Sequence, residues 1–334
     1  GIVGLGVGAL IGAVLQLLVA CLGLWGLKFK YRLRINLKSS DFKLIMRKLP
    51  ARSVDQGIDQ INSIVETNRA TLLGKGAVSH YNFALTLMNV PIMLVGTSIA
   101  TAAFPRLTER LAQNRPDLFH RDFFRVLRVM IWIALPVAVV SYFTRGYLAR
   151  LLFGDVAPEV ALIFSYLIVA MFFRIAYTMI SRFFYANKDT KTPLVVSLFA
   201  IGLNIILAFN LAKPGAYGIS GLALAQSIVA AFEVCILLVI MFFRDSYLFN
   251  RAFWGALGRM VSVSGFSVMM AFIMVSLLPL SIADRGFVTL GTKFGLIAGA
   301  TLLVHVGVSA LFGLEEAKTV LQKVYKIILK PIKL

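Results

Sequence analysis

Residues 50–76 read PARSVDQGIDQINSIVETNRATLLGKG, and they carry a stripe of polar and charged side chains through an otherwise apolar region. The stripe positions are three or four residues apart, so on a helix they share one face. A helix of this length can cross a bilayer. Because charged groups at membrane depth are costly, they normally face a water-filled cavity or one another. We therefore predict a membrane-spanning helix with a cavity-facing stripe formed by Asp55, Asp59, Asn62, Glu66 and Arg69.

The composition of the whole chain is that of a membrane protein. Of its 334 residues, 59% are hydrophobic, and the mean hydropathy is +0.85, which is too apolar for a soluble domain. We therefore predict an all-α, polytopic helical membrane protein. The net charge of +19 does not indicate nucleic-acid binding, because the basic residues lie mainly between apolar runs, as the positive-inside rule describes. Cys21 and Cys235 lie in separate apolar runs and are interpreted as small buried hydrophobes rather than a disulfide.

Apolar runs that alternate with basic stretches predict about nine membrane-spanning helices and a cytoplasmic C-terminus. The chain has no initiator Met and its first residues already fall within an apolar helix, so we expect it to be the C-terminal part of a longer protein. The predicted segments are the last helix of an N-terminal lobe (1–27), a basic amphipathic linker (28–49), a six-helix transporter lobe (50–244), a final helix pair (245–314) and a basic cytoplasmic tail (315–334).

The connections between spans are predicted from charge and from proline and glycine. The arginine-rich stretch Pro105–Arg128 is predicted to be a cytoplasmic loop, and the mixed-charge stretch Arg145–Glu159 a loop on the opposite side. Pro193 is expected to open a helix and Pro91 to kink one. Lys213–Ser220 is predicted to be a turn between helices.

The residue types do not favour an enzyme. The three histidines are far apart and have no cysteine or carboxylate at ligand spacing, and the chain has no Gly-rich phosphate loop for ATP. Asp55 and Asp59 could hold Mg²⁺ and a pyrophosphate, as in membrane prenyltransferases, but such enzymes need a second acidic cluster and the other aspartates form none. We therefore predict a transporter rather than an enzyme.

The charged stripe has a structural and a functional interpretation. Asp59, Glu66 and Arg69 could form a neutralised ion-pair ladder that only fixes helix packing. Alternatively the stripe lines a hydrophilic pathway, in which Arg69 attracts phosphate and the carboxylates carry a coupling cation or a proton. Arg174 is a second intramembrane cation, which either serves this pathway, snorkels, or binds a backbone carbonyl.

The most specific signature begins at Arg182. It reads RFFYANKDTKTPLVVSLFAIGLNIILAFNL and is followed by GAYGISGLALA, and a second match, GKGAVSHYNFALTLMNVP, begins at Gly74. Over essentially the whole chain, these motifs resemble the MviN/MurJ family of lipid II flippases in the MOP exporter superfamily. The signature positions are Arg182, Tyr185, Asp189, Thr190 and Pro193.

The resemblance implies a bundle of fourteen helices in two lobes around a central cavity, located in the bacterial cytoplasmic membrane. Its implied partners are the undecaprenyl-pyrophosphate-linked peptidoglycan precursor, membrane lipids and an N-terminal lobe of the same protein. Transport would proceed by alternating access, energised by membrane potential or ions rather than ATP. The striped helix would be the seventh helix, and the final pair would form a hydrophobic groove for the lipid tail.

The resemblance also shows two departures at the cavity. The family has a basic residue at the position of Thr86, so we predict that Arg69 supplies the phosphate contact instead. A cation site for Na⁺ or H⁺ would correspond to Asp59 and Asn204, although Ala208 stands one turn later where a carboxylate would follow. No other cofactor is implied. The predicted cavity residues are Arg52, Asp55, Asp59, Asn62, Glu66, Arg69, Asn82, Thr86 and Arg174.

Three alternative functions remain open from the sequence. One is another MOP-type exporter, either a flippase for lipid-linked oligosaccharides or a cation-coupled drug antiporter. The second is a Mg²⁺-dependent membrane prenyltransferase or glycosyltransferase. The third is a scaffold of cell-wall assembly that transports nothing.

Overall fold

The structure, a computed structural model, consists of helices and their connections in the part of the chain that it describes. Every regular element there is a helix, which confirms the predicted all-α fold. Most of the predicted linker and three predicted cavity residues, Arg52, Asp55 and Asp59, lie outside the described residues. The residues described are 2–24, 39, 42, 46, 60–244, 251–282 and 284–318.

The chain divides into two compact units, Gly1–Val54 and Asp55–Leu334. In the first unit, α1 (Ile2–Leu24) is 23 residues long and is built from apolar and small residues apart from Gln16. It lies within the first predicted span. The predicted division of the chain into five segments is a finer one and stays a prediction.

The second unit is a series of helices joined by short connections. They are α2 (60–71), α3 (Ala77–Pro91), α4 (Ser98–Ala112), α5 (Pro116–Phe143), α6 (Arg145–Phe153), α7 (Ala157–Ala186), α8 (Lys191–Leu211), α9 (Ser220–Arg244), α10 (Arg251–Leu277) and α11 (Phe287–Leu311). Seven helical segments in the described residues are long and apolar enough to cross a membrane: α3 with α4, α5, α6 with α7, α8, α9, α10 and α11. The other two predicted spans contain α1 and α2.

Helix α7 is the centre of the hydrophobic core. It packs against α3, α5, α6 and α9, so it is surrounded by helices on most of its circumference. Its side chains Leu167, Met171, Ile175 and Met179 follow one another at every fourth position and are fully buried. This spacing keeps them along one line of the helix surface, where they fill the middle of the unit.

The final pair, α10 and α11, packs together and docks onto α5 and α6. Two hydrogen bonds between buried polar side chains join these apolar helices: Trp132 Nε1 donates to Ser309 Oγ at 2.8 Å, and Ser267 Oγ lies 2.9 Å from His305 Nδ1. In an apolar environment such bonds act as specific contacts between helices. The pair is therefore attached to the α5 side of the unit.

Two predicted loops are largely helical. Pro105–Arg128 contains the end of α4 and the start of α5, with only residues 113–115 between them. Buried Asp122 holds the two helices together, because its carboxylate pairs with Arg106 at 3.0 Å and Arg110 at 3.5 Å. The prediction of a loop, which was based on charge alone, was therefore wrong, because this arginine-rich stretch is a corner between two helices.

The predicted loop Arg145–Glu159 is also helical. It contains α6, a short 3₁₀ turn and the start of α7. Tyr147 and Ala149 give α6 a buried face, and Tyr147 OH donates to the carbonyl of Leu278 beyond the end of α10 at 2.5 Å. Tertiary packing therefore stabilises a helix too short and too charged to be recognised from its sequence.

The irregularity predicted at Pro91 is a change of helix type. The helix α3 ends at Pro91 and continues as a π-helical segment, Ile92–Thr97, before α4 begins. Proline removes an N–H donor and crowds the turn before it, whereas the widened turns of the π-helical segment follow it. Within this segment Gly96 packs against α7, because a Cβ at this position would lie 3.3 Å from Cα of Ile175.

Candidate functional site

The described part of the stripe is centred on Glu66, which is only 6% exposed. Its Oε1 accepts hydrogen bonds from Asn204 Nδ2 at 2.7 Å, Gln226 Nε2 at 2.9 Å and Asn62 Nδ2 at 3.1 Å. Its Oε2 accepts one from Tyr81 OH at 3.1 Å. Because a buried charge is costly unless it is hydrogen bonded, these four donors are what makes an ionised carboxylate tolerable in the bundle.

Four helices bring these partners together. Asn62 lies one turn before Glu66 on α2, while Tyr81 lies on α3, Asn204 in the middle of α8 and Gln226 near the start of α9. Asn204 is itself buried, and its amide also donates to Asn62 Oδ1 at 2.7 Å. The network therefore fixes α2 against three other helices.

The close approach of α8 and α9 depends on Gly221. A Cβ built on this glycine would overlap the carbonyl group of Leu211 at the end of α8. The predicted turn over Lys213–Ser220 is confirmed, since residues 212–219 connect the two helices by turns and bends. A glycine at the start of α9 thus lets Gln226 and Asn204 reach the same carboxylate.

A second carboxylate, Glu233 on α9, is 2% exposed and has a cationic partner. Arg174 Nη1 lies 3.1 Å from its Oε2, and Ser197 Oγ donates to its Oε1 at 2.6 Å. Tyr177 OH lies 3.3 Å from Ser197 Oγ. Of the alternatives for Arg174, snorkelling and binding to a backbone carbonyl do not describe its contact here, because its partner is a carboxylate on a neighbouring span. Its role in a substrate pathway stays a prediction.

A small polar cavity of about 60 Å³ lies between the two carboxylate networks. By volume it can hold about two water molecules. Polar groups from α2, α7, α8 and α9 line it, so water inside would touch both networks. The lining residues are Asn62, Arg174, Ser197, Ala200, Ile201, Asn204, Gln226, Val229 and Glu233.

Arg69 contacts the end of α8 in this structure, and its predicted phosphate contact stays a prediction. Its Nη2 donates to the carbonyl of Ala212 at 3.0 Å, and its guanidinium carbon lies 4.8 Å from the ring centroid of Phe209. Arg69 therefore interacts with the C-terminal end of α8, where a cation is favourable. The two described residues Arg69 and Glu66 form no ion pair, so this step of the proposed ladder was wrong.

Asn82 and Thr86 are exposed on α3 and do not join the Glu66 network. Thr86 Oγ1 donates to the carbonyl of Asn82 at 2.9 Å. Their assignment to a substrate cavity stays a prediction, as do those of Arg52, Asp55 and Asp59 outside the described residues.

Sequence reasoning missed four residues of the two networks. Glu233 was detectable, since a single acidic residue inside an apolar span is a signal for a functional or paired group. Tyr81, Ser197 and Gln226 had no comparable signal, because uncharged polar residues are common in such helices. Only their contacts with the carboxylates reveal them.

One residue of the family signature, Asp189, joins the start of α8 to the end of α9. Its contacts with Thr192 and Arg244 form what we call the Asp189 clasp. Asp189 Oδ1 accepts the backbone N–H groups of Lys191 at 3.1 Å and Thr192 at 3.0 Å, which satisfies the start of α8. Its Oδ2 pairs with Arg244 Nη1 at the end of α9 at 2.5 Å and accepts from Thr192 Oγ1 at 2.6 Å. Partial burial alone would raise the pKa of Asp189, but the hydrogen bonds from Thr192 and Arg244 lower it to about 2.

The other signature residues also have structural positions. The guanidinium carbon of Arg182 lies 5.2 Å from the ring centroid of Phe104, and Pro193 is buried in the first turn of α8. Tyr185 and Thr190 are at the exposed end of the same helical corner. The signature therefore describes how α7, α8 and α9 are joined rather than a ligand site.

The expected cation site at Asp59 and Asn204 stays a prediction, because Asp59 lies outside the described residues. Asn204 presents its amide N–H₂ group to Glu66 and Asn62, and its Oδ1 is buried without a protein partner. Ala208, one turn later, is buried and apolar.

The sequence matches the family described as "Lipid II flippase MurJ" over residues 1–289. A probable lipid II flippase MurJ from Helicobacter pylori J99 is 28% identical over 249 residues, which cover 67% of this chain and 54% of that protein. The corresponding protein of Thermotoga maritima is 25% identical and is covered to 58%, with 89% of this chain aligned. The chain thus spans about half the length of the curated relatives it matches.

Solved structures agree on the fold. A lipid II flippase MurJ in an inward closed conformation aligns with a TM-score of 0.66 at 22% identity, over 85% of this chain and 57% of that one. An outward-facing multidrug MATE transporter of the MOP superfamily aligns with a TM-score of 0.51 at 13% identity, over 82% of this chain and 66% of that one. The match over most of its sequence shows that this chain belongs to the MurJ family of lipid II flippases.

Proposed function

We propose that this chain is the C-terminal part of a lipid II flippase of the bacterial cytoplasmic membrane. Its substrate is the lipid-linked peptidoglycan precursor, and its partner is an N-terminal lobe of the same protein that completes the transport pathway. The C-terminus lies in the cytoplasm, as the distribution of basic residues favours. Family membership and the names of the relatives support this substrate.

The observation that carries the proposal is the pair of carboxylate networks inside an apolar bundle. Charged groups at such positions are rare and mark ion and substrate pathways. Glu233 and Arg174 line one polar cavity together with the amide partners of Glu66, and the Arg174 side chain is 34% exposed. Its guanidinium has five N–H donors, of which a pyrophosphate can engage several when the pathway opens. Movement is energised by a cation or by membrane potential.

The exposed polar face of α3 extends this pathway. Asn82, Thr86 and Asn89 are three or four residues apart and exposed in an otherwise apolar span. Uncharged polar side chains suit a headgroup rich in sugar and peptide groups, because they exchange hydrogen bonds at low cost. We propose that this face meets the pathway between the two lobes.

The lipid tail of the substrate requires an apolar surface. An apolar crevice of about 530 Å³ lies between α5, α7, α9 and α10. Phe172, Phe242 and Trp254 are among its lining residues, all of which are apolar. The crevice supports the groove expected beside the final helix pair.

The test is complementation with the full-length protein in bacteria depleted of their own lipid II flippase. Arg174→Ala is expected to abolish growth rescue and to lower lipid II on the outer leaflet at least tenfold, measured by cleavage with an externally added lipid II hydrolase. Arg145→Ala is the matched control, since Arg145 contacts Tyr142 away from the networks. Full rescue by Arg174→Ala, at equal protein levels, contradicts the proposal.

A second candidate is another MOP-type exporter, which the similarity of fold to a MATE transporter favours. A drug antiporter would move organic cations and would not change outer-leaflet lipid II. The same cells therefore separate the two candidates: efflux of a fluorescent cation without growth rescue favours the antiporter.

A further inference from the structure

We propose that Ser227 on α9 is a positioning residue for transport, and that its hydroxyl makes a hinge in the middle of α7, next to Arg174. The part that this hinge plays in lipid movement rests on the proposed function. The hinge itself rests on the contacts between α7 and α9.

The first observation is the position of the Ser227 hydroxyl. Its Oγ accepts the backbone N–H of Ala170 at 3.0 Å and donates to the carbonyl of Tyr166 at 2.5 Å. In an α-helix these two backbone groups, four residues apart, bond to each other. A hydroxyl can serve both because it donates and accepts at once. Ser227 is only 4% exposed, so it is a buried link from α9 to the backbone of α7.

This contact differs from those of the serines in α10. Ser262, Ser264 and Ser267 each donate to the carbonyl four residues earlier in their own helix, which is a common partner of a serine inside a helix. Ser227 bonds instead to the backbone of a neighbouring helix. Its hydroxyl therefore acts on the geometry of α7 rather than on that of α9.

The sequence of α7 contains no other cause of bending. Between Glu159 and Ala186 it has neither proline nor glycine, the residues at which long helices often kink. A side chain that inserts into the hydrogen-bond ladder of a helix is another cause of kinks. The ladder of α7 can therefore change at Tyr166 and Ala170 when α9 moves.

The contact allows two arrangements of the same backbone groups. With the hydroxyl in place, Ala170 and Tyr166 are bound to Ser227. When α9 shifts and withdraws the hydroxyl, they bind each other as in a continuous helix. No backbone group of α7 is left unsatisfied in either arrangement, which is what an apolar bundle requires. The change is therefore a switch between two discrete packings rather than a local unfolding.

Ser227 lies in the part of α9 that contributes to both carboxylate networks. Gln226, the residue before it, donates to the first network, and Glu233, less than two turns later, binds Arg174. Arg174 itself lies one turn after Ala170 on α7. A shift of α9 that breaks either network therefore also moves the hydroxyl, and the resulting change in α7 alters the position of Arg174.

The two halves of α7 have different attachments. The first half follows α6 after only a short 3₁₀ turn, and α6 is bonded to the final pair through Tyr147 and the carbonyl of Leu278. The second half packs on Gly96, where a Cβ would lie 3.3 Å from Cα of Ile175. A bend between the halves therefore moves α6 and the final pair relative to the carboxylate networks.

Hydrogen–deuterium exchange of the full-length protein in lipid tests the hinge without any transport. Ser227→Ala removes the hydroxyl, so Ala170 and Tyr166 stay bonded to each other and α7 becomes a continuous helix. Amides of residues 166–171 should then exchange several-fold more slowly than in the wild type. A hydroxyl that only fastened α9 to α7 would give the opposite result, faster exchange in both helices and a lower unfolding temperature.

The same variant should separate binding of the substrate from its movement. Purified Ser227→Ala should bind lipid II as the wild type does, but outer-leaflet lipid II in flippase-depleted cells should fall several-fold, because the hinge no longer switches. Ser227→Thr keeps the hydroxyl and should restore both exchange and transport. Ser165→Ala is the matched control and should change neither, since its hydroxyl donates to the carbonyl of Leu162 within α7.

Ser227→Cys provides a second reading in case the alanine variant does not fold. A thiol is similar in size to the hydroxyl but is a weak donor and acceptor, so both measurements should shift in the same direction by a smaller factor. The proposal is overturned if the variant that folds exchanges in α7 at the wild-type rate or faster, or if it moves lipid II as the wild type does. Slower exchange in a protein whose wild type moves no lipid II refutes the proposed function and leaves the hinge in place.

Discussion

At the scale of single residues, Glu66 and Glu233 are buried carboxylates that are stabilised in different ways. Glu66 is held by three amides and a phenol, whereas Glu233 is held by Arg174 and a hydroxyl. Among the described residues, the charge of Glu233 is balanced by a cation, whereas Glu66 accepts hydrogen bonds only from neutral groups. The loss of a partner should therefore have different consequences at the two sites.

Glu233→Gln should destabilise the protein by about 2 kcal/mol, because it leaves Arg174 without its counter-charge. The loss is smaller than for a fully buried pair because the Arg174 side chain is 34% exposed. The thermal unfolding midpoint of the full-length protein in detergent measures this effect. The double variant Arg174→Met with Glu233→Gln should recover part of the loss, and a double variant as unstable as the sum of the single ones would contradict the ion pair.

At the scale of helices, hydropathy predicted the spans because it depends on local composition, and the structure confirms them from α3 to α11. It did not predict the helices over 145–153 and at the corner of α4 and α5, because packing of Tyr147 and ion pairs of Asp122 stabilise them. The partners of Glu66 could not be predicted either, since Gln226 lies 160 residues away in sequence. Helices can be predicted from local sequence patterns, whereas contacts between helices can be known only from the tertiary fold.

The Asp189 clasp joins two helices and makes a prediction about pH. Hydrogen bonds from Thr192 and Arg244 lower the pKa of Asp189 from 3.8 to about 2. A lowered carboxyl pKa in the folded state means that its stabilisation is complete above about pH 4 and disappears as pH falls towards 2. Asp189→Asn should therefore lower the unfolding temperature at pH 7, and the difference from wild type should vanish between about pH 4 and pH 2.

The control for this prediction is Asp155→Asn, which changes an exposed carboxyl group at the start of the 3₁₀ turn. It should not reproduce the loss at pH 7. An Asp189→Asn difference that is the same at pH 7 and at pH 2 would show that the clasp is maintained by shape rather than by charge.

At the scale of the whole second unit, two groups of helices carry different parts of the proposed transport. Helices α2, α3, α7, α8 and α9 surround the carboxylate networks, while α10 and α11 dock on α5 and α6, and α10 lines the apolar crevice. The headgroup and the tail of a lipid-linked substrate need such a division between polar and apolar surfaces. The attachment of the final pair is then important for transport even though it lies away from the networks.

Trp132→Phe tests this attachment. It removes the hydrogen bond from Trp132 Nε1 to buried Ser309 with little change of shape, at a cost of about 1 kcal/mol. Backbone amides of α10 and α11 should then exchange with deuterium several times faster, because local opening depends on the free energy of that contact, while α7 should be unchanged. Trp254→Phe, on the largely exposed side of α10, is the control. Equal acceleration in α7 and α11 would mean that the final pair does not open separately but unfolds with the rest of the unit.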